Sequence, residues 1–143
     1  LGIARYKTNE LVIADIPGLI EGAHEGKGLG DRFLGHIERC NLLLHLIDVN
    51  DSDVIKSWKT VRSEISAYSD ELDKKKEIIV LSKSDSVDEK KIDELIVKLK
   101  DHTQKDVFKI SSVTGKGISS ILRVLHDNVI KTKDDEDIES WQP

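Results

Sequence analysis

The chain has 143 residues, 38% of them hydrophobic and 34% charged, with nine Gly, two Pro, one Cys and a net charge of −5. That is the size and composition of one ordinary soluble domain, and no apolar run approaches the roughly 20 residues needed to span a bilayer. The acidic balance argues against docking on naked DNA, and the lone Cys40 can form no internal disulfide, which fits a reducing, cytoplasmic setting.

The chain opens on Leu1 rather than Met, without a signal-peptide pattern, and reads as a portion of a longer protein. Leu1 to Tyr6 and Leu11 to Ala14 are short apolar runs with Thr8-Asn9-Glu10 between them, which predicts a hairpin turning at those three residues. Gly18 to Gly30 carries five Gly and two acidic residues and reads as a long loop. Asp31 is placed to cap a helix reaching about Cys40, with Phe33, Leu34 and Ile37 on one face. Leu42 to Ile47 then reads as a strand buried on both faces and ending in Asp48.

Val54, Trp58, Val61, Ile65, Tyr68 and Leu72 recur at steps of three and four, an amphipathic helix opened by Asp51-Ser52-Asp53. Ile78 to Leu81 is the next strand, and Ile92, Leu95, Ile96 and Leu99 mark the next helix. Val107 to Ile110 is the last strand, followed by a helix carrying Ile118, Ile121, Leu122, Leu125 and Val129. Residues 1–131 therefore read as one domain, and the acidic stretch 132–143 as a disordered tail. His24, His36 and His45 lack metal-site spacing; His45 reads as a core-edge imidazole and the other two as solvent-facing.

Strands alternating with helices predict a mostly parallel sheet with helices on both faces, an α/β fold of three layers. In such folds ligands sit beyond the carboxyl ends of the strands. Three short signatures fall at that end. Asp15-Ile16-Pro17-Gly18 follows the second apolar run: Asp15 suits Mg²⁺ held through a water, and Gly18 lets a backbone N–H approach a γ-phosphate. Ser82-Lys83-Ser84-Asp85 follows the strand Ile78 to Leu81. The Asp85 carboxylate can accept from guanine N1–H and its exocyclic amine, a donor pair adenine lacks, while the Lys83 stem can lie over the base. Ser111-Ser112-Val113 follows the strand Val107 to Ile110, and its backbone N–H groups can bond guanine O6, with Gly115 and Gly117 permitting a tight turn. The order of the three is that of a GTP-binding domain. No G-x-x-x-x-G-K-[S/T] phosphate loop occurs in these residues, and Gly26-Lys27-Gly28 is not a displaced one, because Gly28 stands where Ser or Thr is required.

The stretch Asp15 to Cys40, DIPGLIEGAHEGKGLGDRFLGHIERC, closely resembles the second switch region of the Obg family of bacterial GTPases, and the resemblance covers about residues 1–130. It implies a P-loop-NTPase-like G domain whose first strand and phosphate loop precede Leu1. It also implies slow Mg²⁺-dependent GTP hydrolysis by the full-length parent and a role in assembly of the large ribosomal subunit. By position, Asp15 would contact Mg²⁺ through water, Gly18 would sense the γ-phosphate, and Ser82, Lys83 and Asp85 would hold guanine under Ser111 to Val113. Two departures stand out: Ser82 replaces the family's usual Asn, and the first strand and phosphate loop are missing from these residues. Leu19 occupies the place where small signalling GTPases, a different group, carry a water-orienting Gln. No catalytic base is evident, and the 143 residues alone are expected to bind GTP poorly and not to turn it over. The rival class is a truncated or degenerate G domain serving as a non-catalytic interaction module. A P-loop ATPase is disfavoured because Asp85 suits guanine.

Overall fold

The computed structural model describes residues 2–6, 9–13 and 40–128, the side chains over 40–128. The expectations for Ala14, the loop 18–30, the helix from Asp31, His24, His36, Val129 and the tail 132–143 lie outside the described residues.

Strands β1 (Gly2–Tyr6) and β2 (Asn9–Ile13) pair antiparallel as a sheet of their own. Tyr6 lies opposite Asn9, so Asn9 and Glu10 belong to the strand rather than to the turn the sequence suggested. Only Lys7 and Thr8 stand between the two strands in sequence.

The second sheet is parallel, in the order β3 (Leu42–Asp48), β4 (Lys76–Ser82), β5 (Val107–Lys109). Between β3 and β4 run helix α1 (Val54–Tyr68) and a single turn, α2 (Asp70–Asp73); helix α3 (Glu89–Thr103) joins β4 to β5. A last helix, α4, occupies residues 118–128 up to the end of the described residues. Side chains alternate across β4, and each half meets a different helical layer. Ile79 and Leu81 pack with Val54, Leu99 and Trp58 on the α1–α3 side. Ile78 and Val80 pack with Ile121 and Leu125 of α4 on the other. This is the three-layer α/β arrangement that the alternation of elements foretold.

Two boundaries differ from expectation. The single helix expected from Val54 to Leu72 is interrupted at Ser69, whose backbone is extended (φ −161°, ψ 125°). Ser69 closes α1 with its N–H on the Ile65 carbonyl and opens α2 by accepting from the Leu72 N–H on its hydroxyl. The apolar spacing survives the break because Leu72 still joins Leu43 and Ile65 in one cluster. Strand β3 is fully buried on one face and partly on the other: Leu43 and Ile47 are interior, Leu42 and Leu44 are half-buried, and Leu46 is 55% exposed. Among the described residues the α4 cluster takes in Leu42 and Leu44 but not Leu46.

Gly117 opens α4 with φ +83°, and a Cβ there would overlap the Lys109 carbonyl oxygen. Gly115 has φ +78° but open space around it. Gly117→Ala is therefore expected to lower the unfolding free energy by about 2–3 kcal/mol and Gly115→Ala by about 1 kcal/mol. Urea denaturation of the two variants checks the difference; equal losses would contradict the close approach.

Candidate functional site

The parallel register sets Asp48 beside Ser82 and Leu81 beside Lys109, so the segments leaving β3, β4 and β5 emerge along one rim. Ser82 ends β4, with its hydroxyl 3.4 Å from the Ile47 carbonyl and its own carbonyl accepting from the Val49 N–H at 3.2 Å. Lys83 turns the chain with φ 60°, a left-handed conformation that costs a non-glycine residue about 1 kcal/mol or more. Ser84, Asp85 and Ser86 then form one turn of 3₁₀ helix.

Two bonds join this turn to the loop after β5. The Ser84 N–H donates to the Ile110 carbonyl at 3.0 Å, and the Ser111 hydroxyl donates to Asp85 Oδ1 at 2.7 Å. Ser111 is 1% exposed and is itself fixed: its hydroxyl accepts from the Thr114 N–H, its N–H donates to the Lys116 carbonyl, and its carbonyl accepts from Gly115. Ser112 and Val113 project from the same turn into solvent, Val113 at 83% exposure. Thus Ser82, Lys83, Ser84 and Asp85 meet Ser111, Ser112 and Val113 at one place. Asp15, Ile16, Pro17 and Gly18 lie outside the described residues.

Asp85 is exposed, and a carboxylate offers about four acceptor positions. Ser111 occupies one of them, which leaves capacity for a planar ligand edge bearing two donors. The Lys83 ammonium lies 2.9 Å from Asp48 Oδ2. The Lys83 bond, and then the Asn50 N–H, hold the Asp48 carboxyl below the usual range, and the bond to Asp48 raises Lys83 in turn. Among the described residues no three His, Cys, Asp or Glu side chains gather as a metal site. A groove of about 540 Å³ follows the outer side of β5, floored by Ile92, Val107 and Phe108. Ser84 and Asp85 of the turn and Thr114, Lys116 and Gly117 of the loop after β5 border it, whereas Lys83, Ser111 and Val113 do not.

Sequence reasoning missed two arrangements. One is the Asp48–Asn50–Ser86 bonding beside the turn, for which an Asp and an Asn two apart at a strand end were the available signal. The other is at the opposite end of β4, where Glu77 is wholly shielded within a ring of donors. Trp58 Nε1 donates to it at 2.9 Å, Lys105 Nζ lies at 3.1 Å, His45 Nδ1 at 3.2 Å and Arg62 Nη1 at 3.6 Å. His45, expected at the core edge, is there.

A family model described as 50S ribosome-binding GTPase matches residues 1–83. A protein called GTPase Obg from Rickettsia akari (strain Hartford) is 52% identical over 124 residues, which is 87% of this chain and 38% of that protein. Its namesake in Rickettsia massiliae (strain Mtu5) is 50% identical over 129 residues, 90% of this chain and 39% of that protein. In Rickettsia conorii (strain ATCC VR-613 / Malish 7) the figures are 48% over 133 residues, 93% and 40%. The chain spans about two-fifths of the length of these curated relatives. No helix among the described residues is long and apolar enough to cross a membrane.

Proposed function

The chain belongs to the 50S ribosome-binding GTPase family, with relatives named GTPase Obg, and from that premise we propose that it carries the guanine-reading part of a GTPase. In this reading Asp85 accepts from the N1–H and amine of guanine, Lys83 lies along the base, and Ser82 and Ser84 shape the turn. Ser112 and Val113 close over the base edge and offer backbone N–H groups to O6, while Ser111, whose own N–H is taken by the Lys116 carbonyl, holds Asp85. The single observation that carries the proposal is the Ser111–Asp85 bond of 2.7 Å, because it brings the two loops within reach of one purine.

The remainder of the proposal concerns the whole protein. Asp15 holds Mg²⁺ through a water, with Ile16 and Pro17 leading to Gly18 at the γ-phosphate. Bound Mg²⁺ neutralises charge on the transferring phosphoryl group. The full-length protein hydrolyses GTP slowly in the cytoplasm and acts in assembly of the large ribosomal subunit. The 143 residues contain no phosphate-loop motif, so base selection is the part of the activity assigned to them.

Calorimetric titration of the protein as encoded by its gene, with GDP and with ADP, tests the reading. GDP binding well above ADP binding is the expected result. Equal heats would contradict guanine selection, and none from either would favour a non-catalytic interaction module instead.

A further inference from the structure

We propose that Asp48 and Asn50 form a latch that holds the base-reading turn in register, making both of them positioning residues for guanine selection; this rests on the guanine-binding reading above. Asn50 Nδ2 donates to Ser86 Oγ at 2.9 Å and to Asp48 Oδ1 at 3.2 Å, and the Asn50 N–H also donates to Asp48 Oδ1. The other oxygen of Asp48 takes the Lys83 ammonium at 2.9 Å. Ser86 returns the circuit to Lys83, whose carbonyl accepts from the Ser86 hydroxyl at 2.7 Å and the Ser86 N–H at 3.0 Å. The ring Asp48–Asn50–Ser86–Lys83 therefore closes around the turn, gripping the residue two before Asp85 and the residue after it.

Three features give the ring a purpose beyond stability. Lys83 sits in a left-handed conformation, which persists where neighbours over-determine it. The Ser82 hydroxyl reaches the β3 backbone only through a 3.4 Å contact, so this side chain ties the two loops weakly. The latch bonds are solvent-exposed, so each adds little to overall folding while still fixing direction. Direction is what base reading needs, because both Asp85 oxygens must face two donors on one ring edge.

Inosine diphosphate lacks the exocyclic amine, so the ratio of GDP to IDP affinity reports how well the second oxygen is placed. The test measures both affinities in the protein as encoded, for wild type, Asn50→Ala, Ser86→Ala and the double variant, with urea midpoints alongside. The latch predicts a ratio reduced about three- to tenfold by either single change and no further by both, at unchanged urea midpoints. An unchanged ratio in Asn50→Ala, with wild type still preferring GDP over ADP, overturns the latch and leaves guanine recognition standing. Equal weakening of GDP and IDP with a lowered urea midpoint also overturns it, as general loosening. A wild type that binds GDP no better than ADP overturns both.

Discussion

Asparagine in place of Asp85 is expected to weaken GDP binding by about 10²- to 10⁴-fold and to create a preference for xanthosine diphosphate. Guanine presents N1–H and an amine, two donors that match a carboxylate accepting twice. Xanthine presents N1–H and a carbonyl, one donor and one acceptor, which match the carbonyl and amino group of an amide. Hydrogen bonds to a charged group contribute about 1.5–3 kcal/mol each, and two of them set the range. Ser111 can still donate to the amide oxygen, so the loop contact survives the change. Asp85 is exposed, so thermal unfolding should hardly move. Competition assays with the three diphosphates, GDP, XDP and ADP, read the result. Loss of GDP binding without gain of XDP would mean that the side chain does not face the base edge.

The second large effect concerns stability. Glu77→Ala is expected to lower the unfolding free energy by about 3–5 kcal/mol, because the charges of Arg62 and Lys105 and the Trp58 N–H would lose a shielded partner together. Glu77→Gln keeps the shape and one acceptor and should cost less. The pH dependence has a definite sign. Burial alone would push the Glu77 carboxyl up, but bonds from His45 and Trp58 and the charge of Lys105 outweigh it, and its pKa falls from 4.5 to about 2. A carboxyl depressed by folding stabilises fully above its unfolded pKa. The contribution is therefore intact above about pH 4.5 and fades as pH falls toward 2. Urea unfolding between pH 6 and pH 2.5 should show the gap between wild type and Glu77→Gln narrowing across that interval. A constant gap would contradict the network.

Why Glu77 escaped the sequence reading is instructive. It follows Lys74, Lys75 and Lys76, so it reads as the end of a solvated charge run rather than as the first buried residue of a strand. Its partners come from α1, the segment between α3 and β5, and β3, separations that no local pattern encodes. The helices were legible because a three-and-four spacing of apolar residues governs each of them, with Asp53 of the expected capping cluster opening α1, and β4 because it is an unbroken apolar run. Ser69 was not, since the break it makes leaves the three-and-four spacing of Tyr68 and Leu72 undisturbed. The uneven burial of β3 was equally hidden: Leu46 looks as interior as Leu42 and Leu44, yet those two pack against the α4 cluster and Leu46 does not.

The same contrast holds at the rim. Asp85 and Ser111 lie 26 residues apart, and only strand register brings them to 2.7 Å. Motif order indicated that they should meet, because each follows a strand of one parallel sheet. For Asn50 the spacing from Asp48 was the one signal, and it did not point to Ser86, which the side chain reaches across the gap between two loops.

An amide-resolved NMR titration with GDP, with ADP as the control, tests most directly whether one guanine bridges the two loops. The account predicts that GDP shifts the amides of residues 82–85 and 111–113 together, along one binding curve, and that ADP at the same concentration leaves both sets in place. Shifts confined to one of the two loops, or alike for both nucleotides, would contradict it.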